Sequence, residues 1–223
     1  MAPRADTLGA VLAGGLARRM GGGDKPLRRL AGRPLLRHVL DRVSPQVASV
    51  VLNANGDPGR FADYGLPVVA DGVPDNPGPL AGVLAALDWA AERRPELPWV
   101  LTVPGDCPFL PFDLAERLHA ARERDGAPLA CAATEGRTHP PVGLWPVSLR
   151  SALRDALAGG ERKIDRWTAR FGCAVEGWPA APVDPFFNAN APDDLATAER
   201  ILLRRPNGVP IGNEEGSKRE KPP

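Results

Sequence analysis

The sequence predicts an α/β fold: a single domain with a mostly parallel sheet flanked by helices on both faces. Short, almost entirely apolar runs alternate along the chain with segments in which apolar residues recur at helical spacing. Continuous apolar strands are typical of a parallel sheet, because helices cover both of its faces. A length of 223 residues is sufficient for one such domain with a sizeable core.

The first half of the chain contains four apolar runs of strand length. The runs end at polar or glycine-rich turns, so the order of elements resembles repeated β–α–β units. Helices are predicted over residues 34–43, which end at Ser44-Pro45, and from Pro79, whose ring suits the first position of a helix. The predicted strands are residues 8–12, 49–53, 66–70 and 99–103.

The second half continues with helices and strands and then changes character. Residues 137–145 are predicted as a loop that leads into a strand, and a last helix is predicted to end near Leu203. From Pro206 onward the chain is polar, rich in glycine and proline, and without periodicity, which predicts a disordered tail. We therefore expect a domain over residues 1–205 and a tail over 206–223. The other predicted elements are helices over 112–124, 148–157 and 164–171 and strands over 129–133 and 173–177.

Composition and charge narrow the classes of function. The formal net charge is +1, so no overall field attracts the protein to nucleic acid or anionic lipid, and any phosphate binding must be local. The three cysteines are far apart in sequence and suggest neither a zinc site nor a disulfide framework. The first apolar run is typical of a strand rather than of a signal peptide, and no run is long enough to span a bilayer. We expect a cytoplasmic protein with no nucleic-acid or membrane partner.

The most informative stretch is the glycine-rich loop after the first predicted strand. The strand ends at Gly14-Gly15, and the loop then contains two arginines, three consecutive glycines and Lys25. Exposed N–H groups in such a loop form a cradle for anions, and the cations Arg18, Arg19 and Lys25 suit a triphosphate. The loop is neither a Walker A motif nor a G-x-G-x-x-G motif. The alternative is a flexible connection between a strand and a helix.

Asp106 follows the fourth predicted strand within the segment Pro-Gly-Asp-Cys-Pro. Mg²⁺ prefers one or two carboxylates together with waters and substrate phosphate oxygens, and a carboxylate at a strand end beside a phosphate loop fits that need. The preceding glycine frees the backbone to turn the side chain inward. The alternative is an aspartate that caps the following turn.

Asn53 and Asp71 end the second and third predicted strands and are candidates for base and ribose binding. Guanine presents two adjacent N–H donors that one carboxylate can accept, and an amide serves donor and acceptor edges alike. The alternative for both is a turn residue at a strand end. Gly78 and Gly82 lie at the start of the helix that begins at Pro79, where they permit close approach to a ligand at the helix N-terminus.

Four segments together resemble a known family. They are the loop Leu12-Ala-Gly-Gly-x-Ala-Arg-Arg-Met-Gly-x-x-Asp-Lys25, Gly78-Pro-Leu-Ala-Gly82, Pro104-Gly-Asp-Cys-Pro108 and Asn188-x-Asn190. This combination is similar to the molybdenum cofactor guanylyltransferases (MobA family), which are nucleotidyltransferases with a nucleotide-binding, Rossmann-like α/β fold. The resemblance implies transfer of GMP from Mg-GTP to the terminal phosphate of molybdenum-molybdopterin, with release of pyrophosphate.

The resemblance also implies a set of site residues. Asp106 matches the metal-binding aspartate of the family, which makes Mg²⁺ the expected cofactor, and Lys25, Arg19 and Asp106 are the expected catalytic residues. His139, Asn188 and Asn190 are weaker candidates for binding the pterin acceptor. The expected GTP-binding residues are Leu12, Ala13, Gly14, Gly15, Lys25, Asn53, Asp71, Gly78, Gly82 and Asp106.

Alternatives remain for the acceptor residues and for the activity. Residues 190–193 equally suit the capping of the last helix, and a histidine in a loop is more often structural than catalytic. The enzyme could be a cytidylyltransferase or act on another phosphorylated acceptor, although the cytidylyl relative usually has Ala-Ala-Gly where this chain has Ala13-Gly14-Gly15. A nucleotide-binding adaptor without turnover is disfavoured because Lys25 and Asp106 are both present. Proteins of the molybdenum cofactor pathway are possible partners.

Overall fold

In the computed structural model, residues 3–14, 24–72 and 78–203 are described. The strands are β1 (Arg4–Leu12), β2 (Arg29–Leu30), β3 (Arg33–Pro34), β4 (Val47–Asn53), β5 (Val68–Val69), β6 (Trp99–Pro104), β7 (Leu129–Thr134), β8 (Arg137–Pro146) and β9 (Cys173–Trp178). The helices are α1 (Leu35–Val43), α2 (Pro79–Arg93), α3 (Leu114–Asp125), α4 (Arg150–Ala158), α5 (Ile164–Thr168) and α6 (Pro192–Leu203). The predicted tail, residues 206–223, lies outside the described residues.

Seven strands form one sheet in the order β5-β4-β1-β6-β8-β7-β9, and β2 and β3 form a separate two-stranded ribbon. The pairs β1–β4, β1–β6, β4–β5 and β7–β9 are parallel, whereas β8 is antiparallel to both of its neighbours. The expected α/β architecture with a mostly parallel sheet is therefore confirmed.

The prediction of a loop at the start of 137–145 was wrong. Strand β8 begins at Arg137, directly after the two-residue turn Glu135-Gly136, in which both φ angles are positive. Two consecutive prolines in this stretch argue against a strand, because proline cannot donate to a ladder. In the β7–β8 ladder, Cys131 pairs with Gly143 but the next residue, Ala132, pairs with His139. The two prolines lie between His139 and Gly143, in the part of β8 where the pairing is irregular.

Helices cover both faces of the sheet, as the continuous apolar strands predict. Alternate residues of β1 point in opposite directions: Leu8 and Ala10 contribute to a core with α2, α4 and α5, and Val11 contributes to a core with α1 and α3. No helix among the described residues is long and apolar enough to cross a membrane.

A third, smaller apolar cluster joins the C-terminal part of the chain to the N-terminal part. Ala198 of α6 packs in this cluster with Leu30 of the β2–β3 ribbon, Leu35 of α1 and Phe109. The packing holds the segment before α6 against the loop after β6, where the N–H of Ala189 donates to the carbonyl of Asp106.

Candidate active site

The ends of three neighbouring strands meet at one edge of the sheet. Leu12, at the end of β1, is paired with Asn53 of β4 on one side and with Pro104 of β6 on the other. A cavity of about 380 Å³ opens beyond these ends, which is where ligands collect in open parallel sheets. Of the residues expected to form the site, the lining includes Leu12, Gly14, Lys25, Asn53, Asp71, Gly78, Asp106 and Asn188.

Gly105 allows the loop with Asp106 to pack closely on the end of β1. Its N–H donates to the carbonyl of Leu12 at 3.0 Å, and a Cβ at this position would lie 3.3 Å from that carbonyl and 3.1 Å from Pro26. With a larger residue here, Pro26 or the end of β1 would have to shift by about a few tenths of an ångström. The glycine therefore sets where the Asp106 carboxylate enters the cavity.

Lys25 lies at the centre of the cavity wall. Its side chain is 11% exposed, and its Nζ contacts both the carboxylate of Asp106 and the amide oxygen of Asn190. A charged group so little exposed needs partners of this kind, because burial of an unpaired charge is costly. The residues come from three distant parts of the chain, and the fold joins them in one cluster.

The segment with Asn188 and Asn190 runs along the loop after β6. The N–H of Ala189 donates to the carbonyl of Asp106 at 3.1 Å, and the thiol of Cys107 donates to Asn188 Oδ1 at 2.7 Å. Burial and the neighbouring Asp106 raise the pKa of the Cys107 thiol well above its usual value, so that it remains a protonated donor.

The side chain of Asn190 is not the cap of α6. The carboxylate of Asp194 reaches back and accepts from the N–H groups of Asn190 and Ala191, both at 2.8 Å. An acidic side chain in the first turn that satisfies free N–H groups is a usual way to start a helix. Because Asp194 does this, the amide of Asn190 is available to contact Lys25.

The opposite side of the cavity contains a network around Asp71. Asn53 Nδ2 donates to Asp71 Oδ1 at 2.9 Å and to the carbonyl of Val69 at 3.1 Å, so the ends of β4 and β5 are linked. Asn55 Nδ2 donates to the other carboxylate oxygen of Asp71 at 2.8 Å. Both predicted base-side residues thus lie together, although they also have the structural links expected of strand-end residues.

Two of the expected GTP-binding residues lie behind the cavity wall. Ala13 is fully buried, and its N–H donates to the carbonyl of Asn53 at 2.8 Å. Gly82 lies beneath Asn53 and Leu12, where a Cβ would overlap Asn53 Oδ1. Helix α2 begins at Pro79 as predicted, and Gly82 allows it to approach the side chain of Asn53.

His139 has its contacts within the protein and not at the cavity. It shares a hydrogen bond with the hydroxyl of Thr134, and its ring lies 4.8 Å from that of Phe186. Burial lowers its pKa, which favours the neutral imidazole. These contacts match the structural alternative for this residue. Gly15 and Arg19 lie outside the described residues.

Asn55 lines the cavity and Arg60 contacts it, and neither residue was predicted from sequence. Arg60 lies in a 3₁₀ helix (Pro58–Tyr64), donates to the carbonyl of Asn55, and has its Nε 3.2 Å from Asp24 Oδ2. It thereby links Asp24, which precedes Lys25, to the turn after β4. The spacing Asn53-x-Asn55 at a strand end was the one available signal for Asn55.

The described residues contain no group of three or more histidine, cysteine or acidic side chains that could enclose a metal by themselves. Asp106 offers one partly exposed carboxylate at the cavity. This donor set suits Mg²⁺, which usually takes one or two carboxylates and obtains its other ligands from water and substrate phosphates.

Comparisons with known proteins show which family the chain belongs to. Residues 9–171 match the family described as the MobA-like NTP transferase domain. The molybdenum cofactor guanylyltransferase of Rhodopseudomonas palustris (strain BisB5) is 59% identical over 205 residues, which are 92% of this chain and 98% of the relative. That of Mesorhizobium japonicum is 46% identical over 203 residues, 89% of this chain and 97% of the relative.

A solved structure supports the same assignment. Molybdopterin-guanine dinucleotide biosynthesis protein A from Archaeoglobus fulgidus is 27% identical and has a TM-score of 0.68, with 87% of this chain and 98% of that chain covered. The resemblance and the nucleotidyltransferase class predicted from sequence are confirmed. The chain belongs to the family of MobA-like NTP transferases, among the molybdenum cofactor guanylyltransferases.

Proposed function

We propose that this protein transfers GMP from GTP to the terminal phosphate of molybdenum-molybdopterin, which forms molybdopterin guanine dinucleotide and releases pyrophosphate. The observation that carries the proposal is the cluster of Lys25, Asp106 and Asn190 at the end of the sheet. It places a cation, a carboxylate and the C-terminal segment at one wall of the cavity. The names of the relatives at 46–59% identity support the choice of substrates.

The reaction needs no nucleophile from the protein. A phosphate oxygen of the acceptor attacks the α-phosphorus of GTP, and the bond to pyrophosphate breaks. Catalysis then consists of positioning the two substrates and stabilising the charge that develops on the phosphate oxygens. Lys25 is the described cation best placed for this role, because it lines the cavity beside Asp106. We assign Arg19 the same role.

Asp106 is the residue that would hold Mg²⁺. The cation, when bound, neutralises phosphate charge and helps to orient the α-phosphate. Asp106 and Lys25 are in contact, so the carboxylate also fixes the ammonium beside the place where phosphates would lie. The glycine-rich loop would contribute backbone N–H groups to the same anion.

The base would bind on the opposite side, at Asn53 and Asp71. The carboxylate of Asp71 can accept the two adjacent N–H donors of guanine, a pair that cytosine and adenine do not present. We place the acceptor near Asn188 and Asn190, with His139 as a weaker candidate. A cytoplasmic location is part of the proposal: the three cysteines are free thiols, as in reducing compartments. Other proteins of the cofactor pathway would supply the pterin and receive the product.

A single-turnover experiment tests the proposal. The protein is mixed with molybdenum-loaded molybdopterin, Mg²⁺ and GTP labelled at the α-phosphorus, and in a parallel reaction with CTP labelled in the same way. We expect the α-label to appear in a dinucleotide product with GTP, while CTP gives little product. Equal or preferred transfer from CTP would favour the cytidylyltransferase alternative, and no transfer from either would contradict the proposal.

A further inference from the structure

We propose that Asn55 is a positioning residue for base recognition: it holds the Asp71 carboxylate so that both oxygens accept from the Watson–Crick edge of guanine. The inference rests on the proposed function, because it concerns how the same site selects its nucleotide. Asn55 was not among the residues predicted from sequence or from the resemblance. It lines the cavity together with Asn53 and Asp71.

The contact between Asn55 and Asp71 is reciprocal. Asn55 Nδ2 donates to Asp71 Oδ2 at 2.8 Å, and the backbone N–H of Asp71 donates to Asn55 Oδ1 at 2.8 Å. Two hydrogen bonds in opposite directions fix both the position and the rotation of an amide relative to a carboxylate. The pair joins the loop after β4 to Asp71, which lies two residues after the end of β5.

The remaining acceptor capacity of Asp71 matches guanine. A carboxylate has about four acceptor sites, two on each oxygen. Asn53 occupies one site on Oδ1, and Asn55 occupies one on Oδ2. Each oxygen therefore keeps one site, and guanine presents its N1–H and one N2–H side by side. Two amides on the protein side thus leave a matched pair of acceptors for the base.

Asn55 is held in place although its side chain is exposed. The backbone carbonyl of Asn55 accepts from the guanidinium of Arg60, and the Arg60 Nε lies 3.2 Å from Asp24 Oδ2. Gly56, with φ at +85°, makes room for this arginine, since a Cβ there would lie 3.1 Å from Arg60 Nη1. The turn that carries the exposed amide is therefore held by Arg60. A residue that orients another group needs such a rigid position.

A purely structural role would have a different consequence from a positioning role. If Asn55 only joined two loops, its loss would weaken every nucleotide to the same extent. If it orients Asp71, its loss weakens most the nucleotides that place two donors on that carboxylate. ITP separates the two cases, because hypoxanthine retains N1–H but lacks the 2-amino group.

The experiment measures the affinities of GTP and ITP by equilibrium competition in the presence of Mg²⁺ for the full chain and for Asn55→Ala and Asn55→Asp. The wild-type protein should prefer GTP to ITP. In Asn55→Ala the preference should fall by roughly 3- to 10-fold, the scale of one hydrogen bond, with ITP affinity changed less. Asn55→Asp should lose at least as much, since it places a carboxylate against Asp71 Oδ2.

Two further variants complete the test. Asp63→Asn, an exposed change in the same 3₁₀ helix as Arg60, is the matched control and should leave the GTP-to-ITP ratio unchanged. In an Asp71→Asn background, Asn55→Ala should no longer alter that ratio, because the group it orients is gone. An equal loss of GTP and ITP affinity in Asn55→Ala, or an unchanged ratio, would overturn the proposal. If wild-type protein transfers GMP yet binds GTP and ITP equally, Asp71 does not read the 2-amino group and this inference fails, while the transfer function stands.

Discussion

The ammonium group of Lys25 contacts the amide oxygen of Asn190, which lies 165 positions later in the chain. Both residues also adjoin Asp106, Lys25 through its ion pair and Asn190 through the neighbouring Ala189 N–H bond to the Asp106 carbonyl. The relationship makes the segment before α6 part of the cavity wall that contains Lys25 and Asp106, the wall at which we propose that the phosphates bind. The segment just before α6 thereby contacts Lys25, a residue far from it in sequence.

Replacing Asn190 by alanine should lower transfer more than it lowers stability. The change removes one of the two partners of the Lys25 ammonium, so the ammonium is held less firmly at the cavity. The hydrogen bonds by which Asp194 caps α6 are kept, because they use backbone N–H groups. We expect a loss of about 1.5–3 kcal/mol in the free energy of unfolding, as for a hydrogen bond to a charged group, and a clear drop in single-turnover rate. Asp193→Ala, exposed in the same turn, is the control. Equal rates for the two variants would contradict a role for Asn190.

Lys25→Met should affect both stability and magnesium binding. The variant leaves the Asp106 carboxylate without its cation, at a cost of about 1–3 kcal/mol in a urea titration. The ammonium of Lys25 then no longer competes with Mg²⁺ for the Asp106 carboxylate. The Mg²⁺ affinity, measured by calorimetry without nucleotide, should therefore rise by a few-fold, whereas the GTP affinity should fall. Lys163→Met, at an exposed position before α5, is the comparison. Unaltered Mg²⁺ affinity in Lys25→Met would show that the ion pair does not compete with the metal.

Stability should fall as the pH drops from 6.5 towards 4, because of His119. Its Nε2 is 2.9 Å from the hydroxyl of Thr7, and its ring meets Trp99 edge-on. Burial, followed by the charge of Arg4, lowers the pKa of His119 from 6.5 to about 4. Between these values the unfolded chain binds a proton that the folded protein does not, so unfolding becomes easier by up to about 2 kcal/mol.

Urea titrations at several pH values check this expectation. In His119→Gln, which cannot titrate, the decrease in unfolding free energy between pH 6.5 and 4 should be smaller than in the wild-type protein. Identical pH profiles for the two proteins would mean that another group is responsible for the acid sensitivity.

The fold and the centre of the site were predictable from sequence because their signals are local. Continuous apolar runs mark strands covered on both faces, and parallel strands bring their carboxyl ends to one edge, so Leu12, Asn53 and Asp106 could be placed together. The glycine-rich loop and the Pro-Gly-Asp-Cys-Pro segment at these strand ends indicated nucleotidyl transfer. Each of these inferences needed only neighbouring residues and the geometry of a parallel sheet.

The parts that were missed depend on contacts between distant segments. Nothing near Asn55 or Arg60 in sequence shows that the turn after β4 faces Asp71 and Asp24. The prolines of β8 suggested a loop, because the register shift that tolerates them exists only once β7 and β8 are paired. That the space beside Gly82 is occupied by the side chain of Asn53 also follows only from the fold.

Asp106→Asn provides the most direct test of the central claim, that GMP transfer depends on the carboxylate beside Lys25. Asparagine has nearly the same shape and can still cap a turn, but it lacks the anionic oxygen that Mg²⁺ requires. The measurement is the single-turnover transfer of α-labelled GMP to molybdenum-molybdopterin, with the thermal midpoint recorded for the same samples. We predict a folded variant whose transfer rate is lower by orders of magnitude and in which Mg²⁺ no longer tightens GTP binding. Full magnesium-dependent transfer by a folded Asp106→Asn protein would contradict the account.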